Sequence, residues 1–215
     1  YLSWTLPFVE GFSVNGDASH ERGANVWYPS VSTVNSPQFG QQKLKVFEKT
    51  KLDDDRIYTL AVAGIRYDFE DGATIRMEYI KNDNGYTAEQ TEALYEAFSP
   101  REFQRNSFVA PDLINTNYAR LAARGTELPG QRYAYLSLSW PKAFKNADLT
   151  LFSRCLYSLT DKSSSSYASG EYAIGDAGTA FYAATVNAGD DNTELRGLSS
   201  TTHVAGYHRF AQGPS

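Results

Sequence analysis

The stretch GIRYDFEDGATIRMEYIKNDNGYT, residues 64–87, decides the fold. Within residues 73–81, the apolar side chains of Ala73, Ile75, Met77 and Tyr79 alternate with Thr74, Arg76 and Glu78. A period of two is the pattern of a β-strand that has one apolar and one polar face. Because Glu70-Asp71-Gly72 is a turn sequence, the stretch predicts a tight antiparallel hairpin with an apolar face and a charged face.

The same alternation returns further along the chain. It is clear in residues 133–140 and 148–160, and weaker in 166–174 and 179–187. Residues 4–13 and 57–69 are apolar on both faces over part of their length, and 199–210 close the chain. Together these segments predict about eight strands.

The predicted connections alternate in length. Long or medium stretches at 14–56, 83–130, 161–164 and 189–197 take turns with short ones at 70–72, 142–146 and 175–177. Such an alternation is typical of an antiparallel meander in which one end of the sheet carries all the longer loops. Residues 87–98 have a helical period, and Thr87 with Gln90 predicts a capping box, so one long loop is expected to contain a short helix.

Composition narrows the class of protein. The 215 residues suit one domain, which we place at 1–210 with a tail at 211–215. No run of about 18 apolar residues is present and the mean hydropathy is −0.46, which excludes a helical membrane protein. The net charge is −5 and the cations are scattered, so nucleic acid is not an expected partner. Cys155 stands alone, so no intrachain disulfide forms. The chain starts without a leader, which predicts a processed protein or a fragment.

The charged side chains test whether the polar face is organised. A hairpin centred on Gly72 places Arg66 opposite Glu78 and Asp68 opposite Arg76, and a similar construction places Arg154 opposite Glu171. Opposite charges across a strand pair stabilise the pair, and the odd loop keeps them on one face. These six residues are the predicted pore-lining set. Positive and negative charges balance in it, so the ion selectivity of such a pore cannot be predicted from the sequence.

Aromatic residues are expected at both ends of the apolar face. Tyr67, Phe69, Trp140 and Phe210 fall at the short-turn ends of their strands, and Tyr79 and Tyr157 fall at the opposite ends. Aromatic rings favour the interface between lipid and water, so these six residues are the predicted membrane-interface aromatics.

These features resemble bacterial outer-membrane β-barrel proteins, in particular the C-terminal strands of a larger porin-like barrel. Residues 64–87 resemble a barrel hairpin, and AGDDNTELRGLSSTTHVAGYHRF, residues 188–210, resembles the last hairpin and terminal strand. The sequence departs from that pattern at His208, where an aromatic is usual, and in the tail after Phe210. The match is one of pattern and covers most of the chain.

The resemblance implies an all-β fold, an antiparallel up-and-down transmembrane β-barrel with long extracellular loops. The strands of this chain are expected to close on themselves or to form part of a wider barrel. It also implies the outer membrane of a Gram-negative bacterium, with membrane lipid around the strands and both chain ends in the periplasm. The terminal aromatic, Phe210, is then the signal for the barrel-assembly machinery.

Catalytic and metal chemistry is not indicated, and neither an enzyme nor a cofactor is expected. His20 is predicted to be a solvated loop residue, and His203 and His208 are five positions apart, which places them on opposite faces of a strand. The acidic runs at 53–55 and 190–194 lack EF-hand spacing and are expected to be solvated loops, so no metal site is predicted.

Three functions remain open on the sequence. The first is a channel or transporter for unidentified small solutes. The second is a structural or docking barrel that binds a partner protein through its long loops. The third is a soluble β-sandwich or lipocalin-like binding protein, in which protein covers the apolar face.

Overall fold

The fold is antiparallel β with one α-helix. The computed structural model describes residues 2–22, 25–51, 57–97, 129–175, 178–190, 193–196 and 202–209. The strands are β1 (Leu2–Val9), β2 (Phe12–Arg22), β3 (Asn25–Ser36), β4 (Gly40–Lys51), β5 (Ile57–Asp68), β6 (Thr74–Asn82), β7 (Arg132–Pro141), β8 (Leu149–Ser158), β9 (Ser164–Ile174), β10 (Gly178–Ala188) and β11 (Thr202–Arg209). Helix α1 is Ala88–Ala97.

Nine strands form one antiparallel sheet in the order β1-β2-β5-β6-β7-β8-β9-β10-β11. Apart from the step from β2 to β5, each strand pairs with its neighbour in sequence, so the predicted meander is confirmed. The remaining two strands, β3 and β4, pair only with each other and form a separate hairpin. Within the described residues β1 and β11 each have one partner, and the sheet is open.

Most connections alternate in length along the sheet, as predicted, but the β8–β9 connection at 159–163 is shorter than the β7–β8 connection at 142–148. The turns that follow β1, β5, β7 and β9 lie at one end, which we call the short-connection end. The connections that follow β2, β6, β8 and β10 lie at the other, the long-connection end. The expected helix is also confirmed: Thr87 and Gln90 exchange capping-box hydrogen bonds, at 2.9 Å to Gln90 Oε1 and 3.3 Å to Thr87 Oγ1.

The beginning of the chain differs from the prediction. Residues 4–13, expected to form one strand, turn back at Gly11, whose φ of +75° suits a tight turn, and the expected loop 14–56 contains β2 and the β3–β4 hairpin. Because β1 runs toward the short-connection end, Leu2 and Arg209 lie at opposite ends of the sheet. The prediction that both chain ends share one side is therefore wrong for the described chain.

The sheet has an apolar face and a polar face, set by the alternation of each strand. On β6 and β7 the apolar face carries Ile75, Met77, Tyr79, Ala134, Leu136, Leu138 and Trp140, and the polar face carries Thr74, Arg76, Glu78, Tyr133, Tyr135, Ser137 and Ser139. The cross-strand register continues both faces over the other strands.

The apolar face of the described sheet is open. On the apolar face Met77 is 49% exposed and Leu136 is 47% exposed. On the polar face Tyr58, Tyr133 and Ser158 are buried. These three residues lie at the long-connection end, and further along the polar face Arg66 and Arg76 are 52% and 48% exposed. The described sheet has no second layer packed on its apolar face.

A small buried cluster lies at the long-connection end. Helix α1 packs against the β3–β4 hairpin, with Leu44, Tyr86, Thr91 and Leu94 all at 2% exposure or less. The rings of Tyr28 and Tyr86 meet edge to face with centroids 5.6 Å apart. No helix in the described part of the chain is long and apolar enough to cross a membrane.

Candidate functional site: the polar face and the loop cluster

The six predicted pore-lining residues all lie on the polar face. Arg66 and Asp68 are on β5, Arg76 and Glu78 on β6, Arg154 on β8 and Glu171 on β9, at positions that the register places on one side of the sheet. The predicted side is thus observed. Their role in a pore stays a prediction.

The predicted partners across the first hairpin are wrong. Arg66 stands opposite Arg76, Gly64 opposite Glu78, and Asp68 opposite Thr74. The loop at 69–73 centres the hairpin on Asp71 instead of Gly72, because the Phe69 N–H donates to the Ala73 carbonyl at 2.8 Å. The loop still contains an odd number of residues, so the charged side chains lie on the predicted face. Only the residues opposite them differ from the prediction.

The ion pairs form within each strand. Arg66 contacts Asp68 at 2.8 Å, and Arg76 contacts Glu78 at 2.5 Å. Residues two apart on a strand point to the same face, which makes both pairs possible. Gly64 makes room for the second pair, since a Cβ at that position would lie 2.8 Å from Glu78 Cγ. The Glu78 side chain is the most covered of the four, at 12% exposure.

The predicted pair of Arg154 and Glu171 is also wrong. Arg154 stands opposite Tyr167, and Glu171 stands opposite Thr150. The hairpin closes earlier than expected, because the Ser158 N–H donates to the Ser163 carbonyl at 2.8 Å and the turn takes residues 159–162. Arg154 instead places its guanidinium 5.2 Å from the centre of the Tyr167 ring.

Aromatic side chains gather at the short-connection end of the apolar face. The rings of Tyr67 and Phe69 lie 4.6 Å apart, and those of Trp140 and Phe144 lie 4.7 Å apart. The Trp140 indole N–H donates to Asp71 Oδ2 at 3.1 Å. The predicted positions of Tyr67, Phe69 and Trp140 are therefore observed. Phe210 lies outside the described residues.

Two more of the predicted aromatics mark the other end of this face. Tyr79 and Tyr157 both stand opposite Ala134 in the register, and they are 43% and 37% exposed. The next residues on that face are Lys81 and Arg132, which stand opposite each other. The apolar face thus ends in aromatic rings followed by cations.

A shallow apolar depression runs across the middle of this face. Its lining includes one cross-strand row: Val14, Ile65, Met77, Leu136 and Cys155. No charged side chain belongs to that row, although Glu78 on the polar face also lines the depression.

A hydrogen-bonded loop cluster covers the polar face at the long-connection end. The Tyr133 hydroxyl donates to the Glu194 carboxylate at 2.7–2.8 Å and accepts the Gly130 N–H. Asp161 accepts the Glu194 N–H at 2.6 Å and the Ser163 hydroxyl at 2.7 Å. Tyr133, Ser163 and Glu194 are buried. The cluster ties the β8–β9 and β10–β11 connections to β7.

The prediction of a solvated acidic loop at 190–194 is wrong for Glu194, which is buried against Tyr133. The approach of these loops depends on strand register, which brings the β8–β9 turn beside β10–β11, and single-sequence periodicity carries no such signal. The cluster also acts on helix α1: burial, together with the nearby Glu194, Asp161 and Tyr86, raises the pKa of Tyr95 above its usual range.

Histidine and acidic residues form no metal-binding group in the described part of the chain. His20 lies on β2, not in a loop as predicted, with its Nδ1 3.1 Å from Thr59 Oγ1. The acidic run at 53–55 falls outside the described residues.

Comparison with known proteins gives no relative. No protein-family model, no curated protein and no solved structure matches this chain.

Proposed function

We propose that this chain forms membrane-spanning strands of a β-barrel in the outer membrane of a Gram-negative bacterium. The observation that carries the proposal is the apolar face itself, on which Met77 and Leu136 are about half exposed and no described element packs. A continuous exposed apolar face is unfavourable in water, whereas its contact with lipid is favourable. The polar face then lines a lumen through which small solutes pass.

Strand length supports a membrane span. Strands β5 to β10 contain 9 to 12 residues. A tilted strand needs about 9–11 residues to cross a bilayer. The two sets of aromatic side chains on the apolar face, around Trp140 and around Tyr79, are separated by about six residues on β7, or roughly 20 Å along the strand. That separation suits rings at the two interfaces.

The division of connections gives the orientation. Barrels of this kind have short turns on the periplasmic side and longer connections outside. The loop cluster, helix α1 and the β3–β4 hairpin are then extracellular. The open edges at β1 and β11 need partners in lipid, since unpaired backbone groups are costly there. Both strands run toward the short-connection end, so they would pair with each other in parallel, and an antiparallel barrel needs further strands between them.

Two experiments test the proposal on the full-length protein. After extraction, the protein should stay with lipid vesicles through flotation and an alkaline wash, and vesicles that contain it should take up small neutral sugars. A monomer that stays folded in detergent-free buffer would overturn the membrane assignment and would support the soluble β-sandwich. Vesicle association without uptake would remove the channel alone.

A docking barrel is the second candidate, because the buried contacts of Tyr86 and Leu94 hold α1 in place on the outer side. Its exposed acidic residues Glu89 and Glu92 are the natural contact points for a partner protein. Charge reversal at both should abolish co-purification of a stoichiometric partner, while reversal of the exposed Lys162 should not. Unchanged co-purification in both variants, or none in the native protein, counts against docking through α1.

A further inference from the structure

Three arginines of the polar face fall in one cross-strand row. Arg66 stands opposite Arg76, Arg76 opposite Ser137, and Ser137 opposite Arg154. Neighbouring strands lie about 4.8 Å apart, so the row spans roughly 14 Å across the sheet. Like charges directly opposite each other destabilise a strand pair. Such a row is therefore an arrangement with a stability cost that a ligand of opposite charge would offset.

Two of the arginines have carboxylates of their own. Arg66 is paired with Asp68 and Arg76 with Glu78, each within one strand. Arg154 differs, since no described carboxylate lies within 4 Å of it and its contact is the ring of Tyr167. Stacking on a ring leaves the N–H groups along the edge of a guanidinium free to donate. The two ion pairs are neutral, so the three arginines and two carboxylates together carry a net charge of +1. That charge is the one on Arg154.

Glu171 does not neutralise Arg154. It stands opposite Thr150, four residues from Arg154 along β8, which is roughly 13 Å of extended strand. The side chain of Arg154 is exposed on the polar face. A solute on that side of the sheet therefore meets the accessible Arg154 guanidinium, with the two ion pairs of β5 and β6 to one side of it.

We infer that Arg154, with Tyr167 beneath it and Arg76 two strands away, is a binding site for small solutes that carry an oxyanion, either a carboxylate or a phosphate. A planar guanidinium binds both groups through two parallel N–H donors. The inference rests on the proposed function for its biological meaning, as the solute class of the channel. It supplies a solute preference that the balanced charge count of the six predicted pore-lining residues does not give.

The test uses the full-length protein in detergent with inorganic phosphate as the probe and succinate as a competitor. Saturable broadening of the phosphate ³¹P resonance is expected, and succinate should reverse it. Arg154→Gln should weaken binding roughly tenfold or more, because a charge-assisted bidentate contact is lost. Arg154→Lys should recover only part of the affinity. Arg132→Gln removes the same charge from the opposite face and should change nothing.

Far-UV circular dichroism of each variant separates lost binding from lost folding. Absence of saturable broadening in the native protein, or equal binding to native protein and to folded Arg154→Gln, would overturn the inference. If Arg154→Gln does not fold, Tyr167→Leu replaces it, and undiminished phosphate binding to that variant likewise overturns the inference. Binding by a protein that conducts nothing would retain the site and remove the channel. Conductance by a protein that does not bind phosphate would retain the channel and remove the site.

Discussion

Trp140 and Asp71 are joined by a hydrogen bond from the indole N–H to Asp71 Oδ2, at 3.1 Å. Asp71 lies in the β5–β6 turn and Trp140 near the end of β7, so the bond links two neighbouring connections at the short-connection end. The Trp140 indole is amphipathic: its apolar body lies on the apolar face of the sheet, and its N–H edge lies against the turn.

This bond is expected to stabilise the hairpin. In a double-mutant cycle with Trp140→Phe and Asp71→Ala, the coupling energy should be roughly 0.5–1.5 kcal/mol. Urea unfolding of the protein in vesicles measures it. The same cycle with Glu70→Ala, a neighbouring turn residue, should show no coupling. Equal coupling for Glu70 and Asp71 would contradict the specific bond.

Charge on the two faces of β7 should have opposite consequences. Leu136→Arg places a cation in the middle of the apolar face and should destabilise the protein by roughly 2–4 kcal/mol in a bilayer. Ser139→Arg faces the polar side of the same strand, opposite Thr74 and Phe152, and should be tolerated because it meets no like charge across the strands. Unfolding in vesicles compares the two, and equal costs would contradict the assignment of faces.

The loop cluster should depend on the Tyr133 hydroxyl. Tyr133→Phe leaves the Gly130 N–H and the buried Glu194 carboxylate without this partner, at a cost of roughly 1–3 kcal/mol. Hydrogen exchange should become faster at the amides of Gly130, Glu194 and Leu195. Tyr135→Phe, on the same face of the same strand, is the control. Unchanged exchange in Tyr133→Phe would show that the hydroxyl does not hold the loops.

Docking of helix α1 should weaken at high pH. The raised pKa of Tyr95 means that the folded protein keeps the phenol proton at a pH where the unfolded chain has lost it. The stabilisation by neutral Tyr95 is therefore complete below the ordinary tyrosine pKa of about 10 and is lost progressively as the pH rises above it. Tyr95→Phe should remove this part of the pH dependence. Thermal unfolding between pH 9 and 11 tests it, and identical slopes for the two proteins would contradict the account.

Alternation within strands was predicted well from the sequence, because the period of two follows from backbone geometry. The strands on either side of Gly72 and the helix after Thr87 appear where local pattern and turn chemistry agree. The face on which each charged residue lies was also predicted, because it depends only on whether the loop contains an odd or an even number of residues.

Partners across strands were not predicted, because they depend on the exact residue at which each turn closes. A shift of the hairpin centre from Gly72 to Asp71 replaced two opposite-charge pairs with the pair Arg66 and Arg76. The β3–β4 hairpin was missed as well. In its second strand the lysines fall at odd positions, but Phe47 interrupts them and Glu48 stands among the even positions, so the period of two is weak in the sequence.

Collision of a spin label with oxygen or with a nickel chelate tests the central claim most directly. Replacing Cys155, the lone cysteine, by Ser gives a background for single labels at position 136 or 137. In phospholipid vesicles, the label at 136 should collide mainly with oxygen, which concentrates in hydrocarbon, and the label at 137 mainly with the water-soluble chelate. A label at 136 that is shielded from both, or that meets the chelate as often as the label at 137, would contradict a lipid-facing apolar side.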